Sequence, residues 1–291
     1  MIQDIWPDRM NNAFTPDSPD ENDRILVFDD AGRLFVRIKD GQICFTTGRD
    51  VPAEGAVYLF SVNDTRFFLS FRTERAALPG YEYRTIRELR DLSRGTPIFA
   101  AFTAYHLWKW YADNRYCGKC GGRNGFHRTE RALQCEKCGH VIYPRINPAV
   151  IVGVTKGDCL LITRYRTGYA HNALVAGFTE IGETAEQTVK REVMEETGVR
   201  VKNIRYYQSQ PWGMAQDLLL GFFCEADGEG EIHMDQNELK YAEWVSRADI
   251  VLQPNDLSLT NDMMKHFKYS GYKEEIPGQD CGERSRIPGE N

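Results

Sequence analysis

The chain of 291 residues has no apolar run approaching the ~18 residues that cross a bilayer; its longest candidates, Pro148 to Val154 and Leu218 to Cys224, have the length of strands. A membrane-spanning helix is therefore not expected. The first twenty residues lack a basic start followed by an apolar stretch, so a cleaved secretion signal is not expected either, and the cytoplasm is the expected compartment. Positive charge is not in excess: 42 acidic against 36 basic side chains give a net charge of -6, which argues against broad electrostatic binding of duplex DNA and leaves room only for a local basic groove. Internal repeats and low-complexity stretches are absent. With 42% hydrophobic and 27% charged residues, the composition excludes tail-like disorder and collagen- or mucin-like chains. The length is about twice that of a typical ~150-residue domain, so two domains, or one with sizeable attachments, are expected.

Residues 24 to 71 alternate short apolar runs with Gly, Asp and Asn punctuation, which predicts a small antiparallel sheet with hairpin turns such as Asp29-Asp30-Ala31-Gly32. Helical spacing follows over Arg84 to Ser93 and Pro97 to Asn114. From Asn147 onward strands and helices alternate, as suits a mixed sheet packed between helices. A polar, Pro/Gly-rich tail from Lys273 reads as mobile.

Four of the eight cysteines, Cys44, Cys159, Cys224 and Cys281, are scattered, whereas Cys117-Gly-Lys-Cys120 and Cys135-Glu-Lys-Cys138 form two pairs fourteen residues apart, each followed by glycine. Two Cys-x-x-Cys turns complete a tetrahedral sulfur cage with no open position, and the expected metal is one structural zinc ion per chain. Gly121 and Gly139 let the backbone curl so that its N–H groups point at the sulfurs. The competing readings are a pair of disulfides, disfavoured in a cytosolic chain, and a redox Cys-x-x-Cys, which has no need of duplication. Lys119, Arg123, His127 and Arg128 give this module some basic character for nucleic-acid contact, although Glu130 and Glu136 interrupt the patch.

The segment Gly177 to Val199 specifies a helix at both ends. Thr184 and Gln187 form a capping box and Gly198 supplies a left-handed stop, which predicts a helix over residues 185 to 197. Glu192, Glu195 and Glu196 stand at i, i+3 and i+4, within an arc of about 100° on one face. Unpaired, they repel, so basic partners or hard divalent cations such as magnesium or manganese are expected to neutralise them. Arg191 is placed to anchor one carboxylate or to reach back to Glu183. The bland alternative is a solvated acidic helix face.

Gly177, five residues, Glu183, seven residues, then Arg191-Glu192-Val193-Met194-Glu195-Glu196-Thr197-Gly198-Val199 agrees with the Nudix box at nine specified positions over twenty-three residues. The chain thus resembles a Nudix hydrolase, and a four-cysteine module directly before the Nudix segment resembles the NADH pyrophosphatase (NAD diphosphatase) family, whose members also remove NAD caps from RNA. Similar segments are Tyr143 to Ile151, Asn237-Glu238-Leu239 with Ala242 and Trp244, and Ser258-Leu259-Thr260. The family reads SQPWPFPxS where this chain has Ser209-Gln210-Pro211-Trp212-Gly213-Met214-Ala215-Gln216-Asp217. Loss of two prolines and an aromatic ring predicts a more flexible loop with a smaller packing surface.

The resemblance implies an α/β fold: a Nudix α/β/α sandwich with a mixed sheet over 144–272, preceded by a small α+β N-terminal domain over 1–94 and a linking helix with zinc ribbon over 95–143, and followed by the tail over 273–291. It implies hydrolysis of NADH or NAD to AMP and the nicotinamide mononucleotide, extending to NAD-capped RNA decapping, in a cytoplasmic homodimer. Glu192, Glu195, Glu196 and Arg191 become the catalytic residues, with magnesium or manganese held by the Ala176 carbonyl, Glu192, Glu195, Glu196 and Glu238. Phe178 becomes a base-stacking ring, and Tyr143, Glu130, Gln210, Pro211, Trp212, Gly213, Met214, Ala215, Gln216, Asp217 and Thr260 border the dinucleotide. The bland alternatives are that Phe178 and Tyr143 are core or interface aromatics, that Glu130 is a surface charge and that Glu238, taken without the resemblance, is a loop charge. The altered loop motivates a second reading, a pyrophosphatase for ADP-ribose, another nucleotide sugar or diadenosine polyphosphates. From a different class comes a non-catalytic nucleotide- or RNA-binding module, against which the intact glutamates speak.

Overall fold

The computed structural model describes residues 1–71, 76–167 and 171–270, and the tail expected from Lys273 lies outside them. Two compact units are present: one comprises residues 1–149 with 210–219 and 255–258, the other 150–209 with 220–254 and the chain from 259. Among the described residues no helix is long and apolar enough to cross a membrane.

In the first unit the strands are β1 (Met10–Asn11), β2 (Arg24–Val27), β3 (Leu34–Lys39), β4 (Gln42–Phe45), β5 (Val57–Val62), β6 (Thr65–Ser70) and β7 (Glu82–Arg84). Helices α1 (Ile86–Leu92) and α2 (Thr96–Asp113) follow, close to the bounds that the helical spacing predicts. The expected single antiparallel sheet is replaced by two sheets, in the orders β1-β5-β6-β2 and β4-β3-β7, and β2 runs parallel to β6. The reason lies in β2 itself. Ile25 and Val27 enter one apolar cluster while Leu26 and Phe28 enter another, so the run is buried on both faces and its composition carries no sign of which neighbour it takes. The predicted Asp29–Gly32 turn is present, with Gly32 N–H donating to Asp29 O at 2.9 Å. Beyond α2, the three short strands β8 (Asn124–Phe126), β9 (Leu133–Cys135) and β10 (Val141–Ile142) form an antiparallel ribbon within the segment expected to be a zinc ribbon.

The remaining elements are β11 (Asn147–Lys156), β12 (Cys159–Tyr165), β13 (Val175–Phe178), α3 (Ala185–Thr197), β14 (Val201–Trp212), β15 (Asp217–Ala226), β16 (Leu239–Ser246) and α4 (Leu259–Ser270). Their sheet has the order β14-β15-β11-β12-β16, with β13 added against β11. Alternate residues of a strand point to opposite faces. Val150, Val152 and Val154 of β11 and Phe222 of β15 pack with Val189 and Val193 of α3, whereas Gly153 and Phe223 lie against each other and Gly153 against Met263 of α4. One helix therefore covers each face, which is the expected α/β/α sandwich. Helix α3 has the predicted bounds: Thr184 and Gln187 close a reciprocal capping box, and Gly198 takes a left-handed φ of 70° with its N–H on Met194 O.

Candidate active site and zinc ribbon

The two cysteine turns are built alike. Gly121 N–H donates to Cys117 O at 2.8 Å and Gly139 N–H to Cys135 O at 2.9 Å, and both glycines have left-handed φ, 70° and 71°. Backbone N–H groups of Gly122 and of Lys137 and Cys138 point at Cys120 and Cys135 sulfurs respectively. All four sulfurs lie within 4.8 Å of one another, with Cys117 to Cys138 at 3.8 Å and Cys120 to Cys135 at 3.5 Å. A tetrahedral ion with Zn–S of about 2.3 Å requires sulfur separations of about 3.8 Å, whereas a disulfide requires about 2.05 Å. The quartet fits structural zinc and excludes the paired-disulfide reading.

In the second unit, the centre of the Nudix segment is Arg191, whose five N–H donors are all engaged. Nε and Nη2 clasp Glu183 at 2.6 and 2.9 Å, Nη1 reaches Glu192 at 2.8 Å and Glu195 at 3.0 Å, and Nη2 also reaches the Phe178 carbonyl at 2.9 Å. The two roles that the sequence offers Arg191 are thus held together. Glu183 also receives Thr188 Oγ1 at 3.0 Å and Glu180 N–H at 3.1 Å, and the Arg191 guanidinium above all holds its carboxyl down at about 2. Arg191 in turn is raised further by Glu183. This fork ties the loop before α3 to the glutamate face.

Glu192 and Glu196 point inward. Burial raises the Glu192 carboxyl, with Glu195 and Glu238 adding repulsion. Glu196 is 2% exposed, and burial pushes it up to about 8. The Tyr165 hydroxyl lies 3.0 and 3.1 Å from its two oxygens. Glu195 is the exposed member of the three, with 60% of its side chain open to solvent. The approach of Glu238 has a local cause. The last carbonyls of α3 need donors, and the loop supplies them: Asp235 N–H to Glu196 O and His233 N–H to Thr197 O, both 2.8 Å. Asp235 then turns the chain by accepting Asn237 N–H at 2.8 Å, which brings Glu238 back toward Glu192 and Glu196.

An all-oxygen, strongly acidic set of this kind is chemically suited to a hard divalent cation, which would offset both the burial that chiefly raises Glu192 and Glu196 and the repulsion that adds to it. Among the described residues only the cysteine quartet has its ligand atoms within 4.8 Å of one another. The Ala176 carbonyl sits beside the glutamate set, with Tyr165 Oη 3.4 Å away.

Other expected site residues fall in separate places. Phe178 is 53% exposed at the end of β13, and Thr260 lies in the first turn of α4. In the first unit, Tyr143 donates to Glu130 Oε2 at 2.9 Å, so these two form a pair. Gln210 is fully buried and donates to Gln3 Oε1 and Leu257 O at 3.0 and 2.8 Å. The loop after it packs against the first unit's apolar cluster. Trp212 meets Phe102 edge-on at 5.1 Å, Met214 packs on the main apolar cluster, and Ala215 and Gln216 N–H donate back to Trp212 and Gly213. Gly213 faces the backbone of α2, where a Cβ would lie 2.1 Å from Phe102 O. A proline at this position would collide with that carbonyl. Pro211 and Ala215 are exposed, whereas Gln216 and Asp217 are buried. Tyr165 and Asp235 were missed by the sequence reading, because a tyrosine ending a strand and an aspartate in a polar loop carry no spacing signal.

Residues 144–267 match the NUDIX domain family, and residues 112–143 match the NADH pyrophosphatase zinc ribbon domain. Over 177 residues the chain is 40% identical to the NAD-capped RNA hydrolase NudC of Escherichia coli O1:K1 / APEC, covering 60% of this chain and 67% of the relative. The same figures hold for the NAD-capped RNA hydrolase NudC of Escherichia coli strain SMS-3-5 / SECEC. A NUDIX hydrolase structure from Nitrosomonas europaea aligns over 53% of this chain and 90% of its own, at 21% identity and a TM-score of 0.47. The chain belongs to the Nudix hydrolase family. Within it, the ribbon and the degree of identity make it an enzyme of the NAD(H) pyrophosphatase type.

Proposed function

We propose that the protein hydrolyses the pyrophosphate bond of NADH and NAD, releasing AMP and the corresponding nicotinamide mononucleotide, and that it also removes NAD caps from RNA. The observation that carries this reading is the intact Nudix helix, with Glu192, Glu195 and Glu196 on one face and Arg191 fixing the preceding loop, in a chain 40% identical to NAD-capped RNA hydrolases. Glu192, Glu195, Glu196, Glu238 and the Ala176 carbonyl would hold magnesium or manganese. Bound there, the ion supplies neutralisation of phosphate oxygens and a lowered pKa for water. The chain's own residues do the rest: Glu195, the exposed carboxylate, takes the proton of the attacking water, and Arg191 is a positioning residue that keeps Glu192 and Glu195 in register with the Phe178 loop. Phe178 offers its exposed ring to a base.

The same proposal takes the division at 1–94, 95–143 and 144–272, a cytoplasmic location, a homodimer, and contributions to substrate binding from Tyr143, Glu130, the Gln210–Asp217 segment and Thr260. One observation favours a second reading: the turn at Gly213, closed against Phe102, alters the segment where the family carries Pro-Phe-Pro, which suits a changed preference toward ADP-ribose, another nucleotide sugar or a diadenosine polyphosphate. The test is pyrophosphate cleavage with magnesium or manganese, read as AMP from NADH, NAD and ADP-ribose and as nicotinamide mononucleotide from NAD-capped RNA, whose adenylate stays on the RNA 5′ end. The proposal expects NADH, NAD or the capped RNA to be cleaved fastest. Faster cleavage of ADP-ribose selects the second reading, and no cleavage of any of the four removes both. Sedimentation equilibrium tests the dimer.

A further inference from the structure

Tyr165 is the residue that the motifs leave out and the geometry brings in. It ends β12 at a β-bulge: Arg164 pairs with Tyr241 but Tyr165 pairs with Leu239, so Lys240 is an extra residue on β16. Bulges re-aim side chains. Here the half-buried phenol oxygen comes within 3.0 and 3.1 Å of both Glu196 oxygens, accepts Ala176 N–H at 3.1 Å, and lies 3.4 Å from Ala176 O. A phenol has one proton to give. With the Ala176 N–H on one lone pair, that proton is directed to Glu196, which at 2% exposure has little access to water as an alternative partner.

We propose that Tyr165 is a positioning residue for the cation site: its hydroxyl fixes the carboxylate of Glu196 and ties it to the Ala176 peptide, so that two oxygen donors on different elements, α3 and β13, are preset together. Partners of this kind typically tune metal affinity by 10–100-fold. The inference rests on the reading of Glu196 and Ala176 as cation ligands. It adds a residue to which the Nudix box assigns no part.

The test is manganese binding to the full-length, zinc-loaded protein, followed by the electron paramagnetic resonance of free Mn2+ for wild type, Tyr165→Phe, Glu196→Gln and the double variant. Tyr165→Phe is expected to raise the Mn2+ dissociation constant roughly 10–100-fold, and to have little further effect once Glu196 is already glutamine. A Tyr165→Phe constant within twofold of wild type overturns the proposal while leaving the cation site standing. An undiminished effect in the Glu196→Gln background also overturns it, because the tyrosine would then act through general packing. Wild-type protein with no Mn2+ binding sinks the underlying site and the proposal together. If Tyr165→Phe does not fold, a crystal structure of the wild type with Mn2+ decides: Tyr165 Oη within about 3.2 Å of a coordinating Glu196 supports the proposal, and separation beyond 3.5 Å overturns it.

Discussion

A Cβ placed on Gly177 would fall 2.0 Å from Cδ of Glu192 and 2.1 and 2.2 Å from its two oxygens. The first glycine of the Nudix segment and the first glutamate of the acidic face are therefore in backbone-to-side-chain contact, and the glycine is required by space. Gly177→Ala must push Glu192 out of its place or move β13. The expected outcome is a turnover loss of about 10²-fold or more, with a stability loss of about 1–3 kcal/mol from overpacking. Steady-state AMP release and urea unfolding check it. Turnover within threefold of wild type would show that Glu192 need not stand where it does.

Arg191→Lys keeps the charge and loses the fork. One ammonium has three donors, whereas Arg191 makes five contacts to Glu183, Glu192, Glu195 and the Phe178 carbonyl. Turnover should fall by about 10²-fold or more and the unfolding free energy by about 1.5–3 kcal/mol, the range for hydrogen bonds to charged groups. Glu183→Gln should reproduce part of the stability loss, and the double variant should show strong non-additivity. Additive effects in the cycle would mean that the clasp is not a unit.

What could be read before the structure, and what could not, follows from where the information lies. Helix α3 was legible to the residue because Thr184, Gln187 and Gly198 write its ends in local chemistry, and the cysteine quartet was legible because spacing alone brings four sulfurs together. The parallel pairing of β2 with β6 was not, since a strand buried on both faces has no alternation to reveal its partner. Tyr165 reaches Glu196 across thirty-one positions of sequence and through a bulge, and the turn at Gly213 is shaped by the carbonyl of Phe102 in a distant helix. Contacts of that kind exist only after folding.

The sulfur quartet predicts coupled loss of metal and stability. Replacing Cys117 by serine removes one of four ligands whose separations suit zinc, and the energy of a structural site is folding energy. Zinc content by atomic absorption should drop from about one per chain toward zero, and the thermal midpoint should fall with it. A strong chelator applied to the wild type should give the same shift. Unchanged unfolding after complete removal of zinc would leave the ribbon without a structural metal.

Asp217 sits where the related motif has serine, and it is 6% exposed with Oδ1 lacking a hydrogen-bond partner among the described residues. Burial raises its carboxyl from 3.8 to about 6, although a hydrogen bond from Asn147 pulls the other way. Its neighbour Gln216 accepts from Arg145 at 2.7 Å, so that guanidinium is engaged elsewhere. Because the folded value exceeds the unfolded one, the folded state binds more protons between pH of about 4 and about 6, and stability falls as pH rises through that window. Above it the ionised side chain leaves the protein less stable by up to about 3 kcal/mol, from roughly two pKa units at 1.36 kcal/mol each. Asp217→Asn removes the charge at nearly constant shape. The variant should therefore match wild type near pH 4 and unfold at a higher temperature at pH 7 to 8. Calorimetric scans across that range check it, and an identical pH profile for the two proteins would show that Asp217 does not carry a raised pKa.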